Sequence, residues 1–190
     1  AGQETRIDPS VSNIVDVYIL ERTYDNLFRI WLQDGGTKPS VSTADQLRIS
    51  YSGTLNPLKS LSDQIIYHPV KYKILFGKNS AEQLQATFKV VKNSKTNVSD
   101  AVIKTRVIAA INEFFALDNW DFGDTFYFTE LAAYIHNELA PDLLTAVIVP
   151  NQSGQSFGSL FQIDSAADEI FISGATVDDV SIITALGANL

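Results

Sequence analysis

The chain has 190 residues, of which 45% are hydrophobic and 11% aromatic, and its formal net charge is -8. This apolar content is sufficient for a packed core in one domain, or in one domain with an extension, so a disordered chain is not expected. Cysteine is absent, which excludes a disulfide framework, a thiolate nucleophile and a cysteine-ligated zinc site. No apolar run reaches membrane-spanning length, so we expect a soluble protein.

The first ten residues, AGQETRIDPS, are predicted to form a linker. Because this opening is typical of a linker and methionine is absent throughout, we expect the chain to be a fragment of a longer protein. After it, Val15, Val17 and Ile19 recur at every second position, which predicts a strand. A Gly- and Pro-containing loop then leads to a short predicted helix capped by Ser42 or Thr43.

Two strands with lysines on one face are predicted next, within HPVKYKILFG (68–77) and LQATFKVVKN (84–93). The intervening GKNSAE is long enough for a turn, so the two strands are expected to form a hairpin. The lysines should face water and the apolar residues the core.

Two amphipathic helices are predicted in the middle of the chain, joined by the turn LDNWDFGD (117–124) and a short aromatic strand, TFYF. Asn97 or Ser99 can cap the first helix, and Pro141 ends the second. The predicted apolar stripe of the first helix is Ile103, Val107, Ala110, Ile111, Phe114 and Phe115, and that of the second, which begins at Thr129, is Leu131, Tyr134, Ile135 and Leu139.

The C-terminal part is predicted to be rich in strands. LLTAVIVP (143–150) is a continuous apolar run, typical of a buried strand, and three short strand-like segments follow it. The predicted fold class is therefore α+β: a mixed sheet with two amphipathic helices, followed by a small β-rich C-terminal extension.

Three motifs could carry chemistry, and each has a simpler interpretation. GQSFG (154–158) matches G-x-S-x-G, but a strand rather than a helix is predicted after it, and both histidines precede Ser156. Asp118, Asp121 and Asp124 are spaced by three residues, unlike a calcium loop, and DFG occurs without the other kinase motifs. We therefore predict a connector and a surface turn.

The two histidines are also predicted to have no catalytic or ligand role. His68 stands at a strand entry, and His136 lies off the apolar stripe of the second helix, where a solvated or hydrogen-bonded histidine is expected. The sequence thus predicts no enzyme, with no catalytic, cofactor-binding or metal-binding residues and no cofactor.

The charges are divided unevenly along the chain. Residues 1–106 hold all 14 Lys and Arg and 10 of the 22 Asp and Glu, whereas residues 107–190 hold only acids. The acidic part would be repelled by phosphates, so nucleic acid is not expected as a partner. Salt-sensitive docking between neighbouring protein surfaces is the predicted use of this division.

Residues 70–149 resemble the baseplate J-like family of contractile phage tails. The matching features are the aromatic pair Phe114–Phe115, the turn 122–124 (FGD), the helix start 129–131 (TEL) with Ile135, and the hydrophobic strand that follows. Upstream, IVDVYIL fits the strand that opens this domain, so the resemblance covers about residues 11–150. Taken as a whole, the chain resembles the C-terminal part of the large baseplate wedge subunit of T4-like phages.

The resemblance implies a baseplate J-like domain at 11–150, with the predicted linker before it at 1–10 and the predicted β-rich C-terminal extension after it at 151–190. It implies a structural component of a baseplate wedge, which self-associates and joins wedges into a ring around the hub. The implied partners are a second copy and other wedge proteins, without nucleic acid, membrane or small-molecule substrate. The implied location is the tail baseplate of the virion, assembled in the host cytoplasm. A receptor-binding fibre or adhesin module without catalytic activity is the alternative.

Overall fold

A computed structural model of the chain describes residues 14–57, 64–152 and 161–184. These residues form both helices and strands, and the fold is α+β with a small β-rich C-terminal part, as predicted. They belong to two compact units. The first unit contains the described residues up to Asn26 together with Pro39–Val70, and the second contains Leu27–Lys38 and the chain from Lys71 onward.

The first unit contains the predicted opening strand and the predicted capped helix. Strand β1 (Ile14–Ile19) pairs in parallel with β2 (Gln64–Pro69). Helix α2 (Ala44–Leu55) begins after Thr43, whose hydroxyl accepts the backbone N–H of Gln46. The Thr43 cap is thereby confirmed. No residue of β1 is fully buried, whereas Tyr67 of β2 is buried.

Helix α1 (Arg22–Asp34) was not predicted from the sequence. Its buried apolar residues are Phe28 and Leu32, one helical turn apart. Gly35, with a φ of 78°, follows the helix and donates its N–H to the Trp31 carbonyl at 2.9 Å. An apolar pair spaced by four residues before a glycine is the signal that could have identified this helix.

Seven strands in the second unit form three small sheets. They are β3 (Lys71–Leu75), β4 (Ala86–Lys92), β5 (Thr125–Tyr127), β6 (Leu143–Pro150), β7 (Gln162–Asp164), β8 (Glu169–Ser173) and β9 (Val180–Thr184). Strand β3 pairs in parallel with β8, and β5 pairs antiparallel with β7. Strand β4 lies between β6, antiparallel to it, and β9, parallel to it. Each C-terminal strand therefore pairs with a strand that precedes it by many residues.

The predicted hairpin of residues 68–77 and 84–93 is wrong. Both segments are strands, β3 and β4, but they belong to different sheets. After Leu75 the backbone takes positive φ values at Phe76 (63°) and Gly77 (70°), and a 3-10 turn over Glu82–Leu84 precedes β4. This irregular path separates the two strands, and each finds its partners far along the chain instead.

Two glycine backbones approach each other closely where β3 and β8 end. The N–H of Gly174 donates to the Leu75 carbonyl at 2.8 Å. A Cβ added to Gly77 would lie 1.9 Å from the carbonyl oxygen of Gly174. The close approach and the positive φ both require glycine at residue 77.

The two predicted amphipathic helices are confirmed as α3 (Asp100–Phe114) and α4 (Phe128–Leu139). The Ser99 hydroxyl caps α3 by accepting the N–H of Val102 at 3.4 Å. Phe114 is only partly buried, and Ile108, which was not predicted, is buried as well. Of the residues predicted for the stripe of the first helix, five are buried: Ile103, Val107, Ala110, Ile111 and Phe115. Of those predicted for the second helix, three are buried: Leu131, Ile135 and Leu139.

Strand β6 is not the buried strand that its apolar run predicted. Leu143 and Ala146 are buried, but Leu144 and Val147 are 49% and 52% exposed. The reason is that one face of this sheet is exposed, since Val147 is paired with Lys89, which is exposed on the central strand β4. An apolar run cannot distinguish a strand with one exposed face from a strand that is buried on both faces.

Candidate interaction surfaces

The segment that joins α3 to α4 contributes to an aromatic cluster at the centre of the second unit. Trp120 stacks on Phe115, with ring centroids 5.4 Å apart and an interplanar angle of 20°. Its indole Nε1–H donates to the Phe114 carbonyl at 2.7 Å. Phe126, which is fully buried, contacts the rings of Phe76, Phe114, Phe115, Trp120, Phe128 and Phe171. Five of these aromatic side chains are buried in the core, whereas Phe114 and Trp120 are partly buried and line a cleft of about 400 Å³ together with Asp124, Glu130 and Tyr134.

The aspartates of this segment form the turn itself. The Asp121 N–H donates to the Asp124 carboxylate at 2.7 Å, and the Asp121 carboxylate accepts the N–H of Phe122 at 2.8 Å. Gly123 supplies the positive φ of 73° that the turn requires. The carboxylates of Asp121 and Asp124 are thus engaged by backbone N–H groups of the turn. In the described ranges, no group of three or more His, Asp or Glu residues is arranged to hold a metal ion.

The histidines lie in different units. His68 Nε2 lies 2.7 Å from an Asp16 carboxylate oxygen, and the His68 ring stacks on Tyr18 at 5.0 Å. The pair is solvent-accessible, and no described hydrogen bond brings a serine or threonine hydroxyl to it. His136 is half-buried on α4, and its Nδ1 has no hydrogen-bond partner among the described residues. The GQSFG segment with Ser156 lies outside the described residues.

Part of the uneven charge distribution is neutralised within the chain. Lys71 contacts Asp168 at 2.6 Å, Lys73 lies 3.9 Å from Glu169, and Arg106 contacts Asp142 at 2.7 Å. Each of these pairs joins the basic part of the sequence to the acidic part. Docking between charged faces of neighbouring proteins therefore has fewer available charges than the sequence suggested.

Asp142 should make the stability of the protein depend on acid pH. Hydrogen bonds from Thr96 at 2.5 Å and from Arg106 at 2.7 Å lower the pKa of the Asp142 carboxyl. A carboxyl whose pKa is lower in the folded state stabilises the fold above its unfolded pKa, about 3.9, and this contribution is lost as pH falls through the folded value. We expect Asp142→Asn to lower the melting temperature at neutral pH, and we expect the difference from the parent to shrink below about pH 4.

The control for this change is Asp178→Asn, because Asp178 is exposed. It should have little effect on melting at either pH. Thermal melts by circular dichroism from neutral to acid pH give the comparison, and an equal loss for Asp142→Asn at every pH would contradict the role assigned to its charge.

The outer edge of β6 borders two adjoining clefts. One, of about 240 Å³, is lined by Phe128, Thr129, Ala132, Val147, Ile148 and Phe161. The other, of about 300 Å³, lies beside it and includes Ala133, His136 and Thr145. Side chains of α4 form one wall of these clefts and β6 forms the other. Strand β6 and the α4 residues Thr129, Ala132, Ala133 and His136 are called the edge surface below.

Comparisons with protein-family models and with curated proteins find no match to this chain. Across the ranges that the structure describes, no helix combines the length and the apolar character needed to cross a membrane.

Proposed function

We propose that this chain is a structural component of a contractile-tail baseplate wedge, similar to the C-terminal part of the large wedge subunit of T4-like phages. In this role it self-associates and joins neighbouring wedge proteins into a ring around the hub. The observation that carries the proposal is the way in which the family-like residues pack. Phe115, Leu131 and Ile135 are fully buried in one core, and Gly123 forms the turn between the helices that carry them.

The chemistry of the central segment favours a structural role over a catalytic one. The Asp121 and Asp124 carboxylates accept backbone N–H groups of their own turn, and the Trp120 indole is hydrogen-bonded to Phe114. These groups are engaged in holding the backbone. Residues that resemble catalytic motifs in the sequence are therefore used to position two helices.

The edge surface gives the proposal a place where another protein can bind. It contains no Asp, Glu, Lys or Arg, although the protein as a whole has a net charge of -8. Uncharged patches that combine apolar side chains with unpaired strand backbone are typical of association sites.

Immunogold electron microscopy of contractile-tail particles from the genome that encodes this chain tests the proposal. An antibody raised against the purified chain should label the distal end of the tail, at the baseplate. Preabsorbing the antibody with the purified chain should remove the label. Label on fibres, together with binding of the purified chain to host cells, would instead support an adhesin, and tail particles without label would contradict both functions.

A further inference from the structure

Among the described strands, β6 is paired along one edge only, and its other edge has few of the features that normally prevent association. The paired edge is hydrogen-bonded to β4, and on the free side no described strand is hydrogen-bonded to β6. The sequence LLTAVIVP contains no charged residue, and its proline stands at the end. Natural sheets usually protect an edge with charges, an internal proline or a bulge. Here one irregularity occurs, at Leu144, so the segment from Thr145 to Val149 is a regular open edge.

This segment is complementary to itself. In an antiparallel pair centred on Val147, that residue lies opposite its own copy, and Ala146 lies opposite Ile148 of the other strand. Ala146 and Ile148 share the face that packs on the core, so a small residue meets a large one on both sides of the two-fold axis. Thr145 and Val149 meet on the outer face. Because none of these residues is charged, two acidic chains can pair here without opposed like charges.

Helix α4 allows a second chain to approach this edge. The side of α4 that lines the clefts consists of Thr129, Ala132, Ala133 and His136. Small side chains let another helix approach closely. The acidic residues of α4, Glu130 and Glu138, are not part of the cleft lining. A symmetric pair of strands would place two such helix sides near each other.

We propose that two copies of this chain associate by antiparallel pairing of their β6 strands, centred on Val147, which joins their sheets into one continuous sheet of six strands. This inference rests on the self-association in the proposed function and names its surface. The occupant of the edge surface is a second copy, because β6 paired antiparallel with its own copy brings no charged residue to either strand and places Ala146 opposite Ile148 twice.

Cysteine cross-linking tests the register directly, because the chain has no cysteine of its own. The pairing places the two Val147 Cβ atoms about 4.5–5.5 Å apart, close to the span of a disulfide. Oxidised Val147→Cys should run as a covalent dimer on a non-reducing gel. The matched control is Ile183→Cys on β9, whose side chain is similarly exposed at 48%. If the two variants cross-link to the same small extent, the proposed register is wrong.

Sedimentation across a concentration series measures the association itself. Val147→Lys puts two like charges opposite each other at the two-fold axis and should raise the dimer Kd about tenfold or more. Ile183→Lys, the control, should leave the Kd unchanged. Circular dichroism melts of both variants establish that each is folded, which is expected because both side chains are exposed in the parent.

Salt separates this contact from docking by charged faces. Pairing of uncharged strands should give the same Kd from about 0.05 to about 0.5 M salt. Association that weakens with salt and with Lys95→Glu would assign the contact to charged faces and overturn the inference. A monomer at every concentration would overturn it as well. Neither result affects the immunogold test, so failure of this inference is distinguishable from failure of the baseplate assignment.

Discussion

Replacing Gly77 with alanine should lower the free energy of unfolding by about 3–5 kcal/mol. An alanine Cβ at this position would lie 1.9 Å from the Gly174 carbonyl oxygen and 2.6 Å from its carbon, and both are backbone atoms that no rotamer change can move. The positive φ of 70° adds strain to the steric clash. Denaturant unfolding monitored by tryptophan fluorescence measures the loss, because Trp31 and Trp120 both belong to the second unit.

Gly35→Ala separates the clash from the backbone strain. Gly35 also has a positive φ, 78°, but a Cβ there meets no atom within 4 Å. It should cost only about 1–2 kcal/mol, the penalty of the left-handed conformation. Equal losses for the two glycine variants would mean that the close approach of Gly77 to Gly174 does not contribute to stability.

Placing a charge in the centre of α3 should be similarly damaging. Ile111 has an exposed fraction of 0% and lies within the main core cluster. Ile111→Asp removes its apolar contacts and buries a carboxylate without a partner, so we expect a loss of several kcal/mol, about 3–5. Thermal melting by circular dichroism measures it. A variant that melts like the parent would show that this stripe of α3 is not core.

Val102→Asp is the matched control on the same helix. Val102 lies in the first turn of α3 and its side chain is 48% exposed. An acidic residue in the first turn is favoured by the helix dipole, so this change should leave stability nearly unchanged or raise it by a few tenths of a kcal/mol. The same chemical substitution thus gives opposite results according to burial.

The helices that were predicted are those whose signals lie close together in the sequence. Thr43 and Ser99 each cap a helix by accepting the backbone N–H of the residue three positions later. The apolar stripe of α3 repeats every three or four positions. Helix α1 escaped prediction because a strand pattern precedes it and a glycine loop follows it. Only Phe28 and Leu32 carried its signal.

Strand pairing was predicted poorly for a physical reason. The alternation of apolar and polar residues in β3 and β4 predicts which face of each strand is buried. It does not predict the hydrogen-bond partner of the strand, which depends on the whole fold. The partner of Lys71–Leu75 is Glu169–Ser173, and no local pattern relates the two. The same limit applies to charge. The sequence shows that acidic and basic residues are unevenly distributed along the chain, but only the fold shows that Lys71 lies beside Asp168.

The candidate site was predictable in part. A turn with Gly123 at its bend follows from composition, and the structure contains it. The sequence did not predict that β6 is paired along one edge only among the described strands, because a run of apolar residues is compatible with pairing along one edge or along both. Its exposed Leu144 and Val147 became visible only when neighbouring elements could be located.

The long-range pairing of β3 with β8 and of β4 with β9 affects how the protein can be synthesised. Residues 71–92 leave the ribosome well before residues 169–184, so two strands wait for partners that have not yet been translated. During that interval the growing chain exposes apolar strand edges to every other nascent copy. The order of translation itself therefore sets a period in which premature pairing competes with correct closure of the sheets.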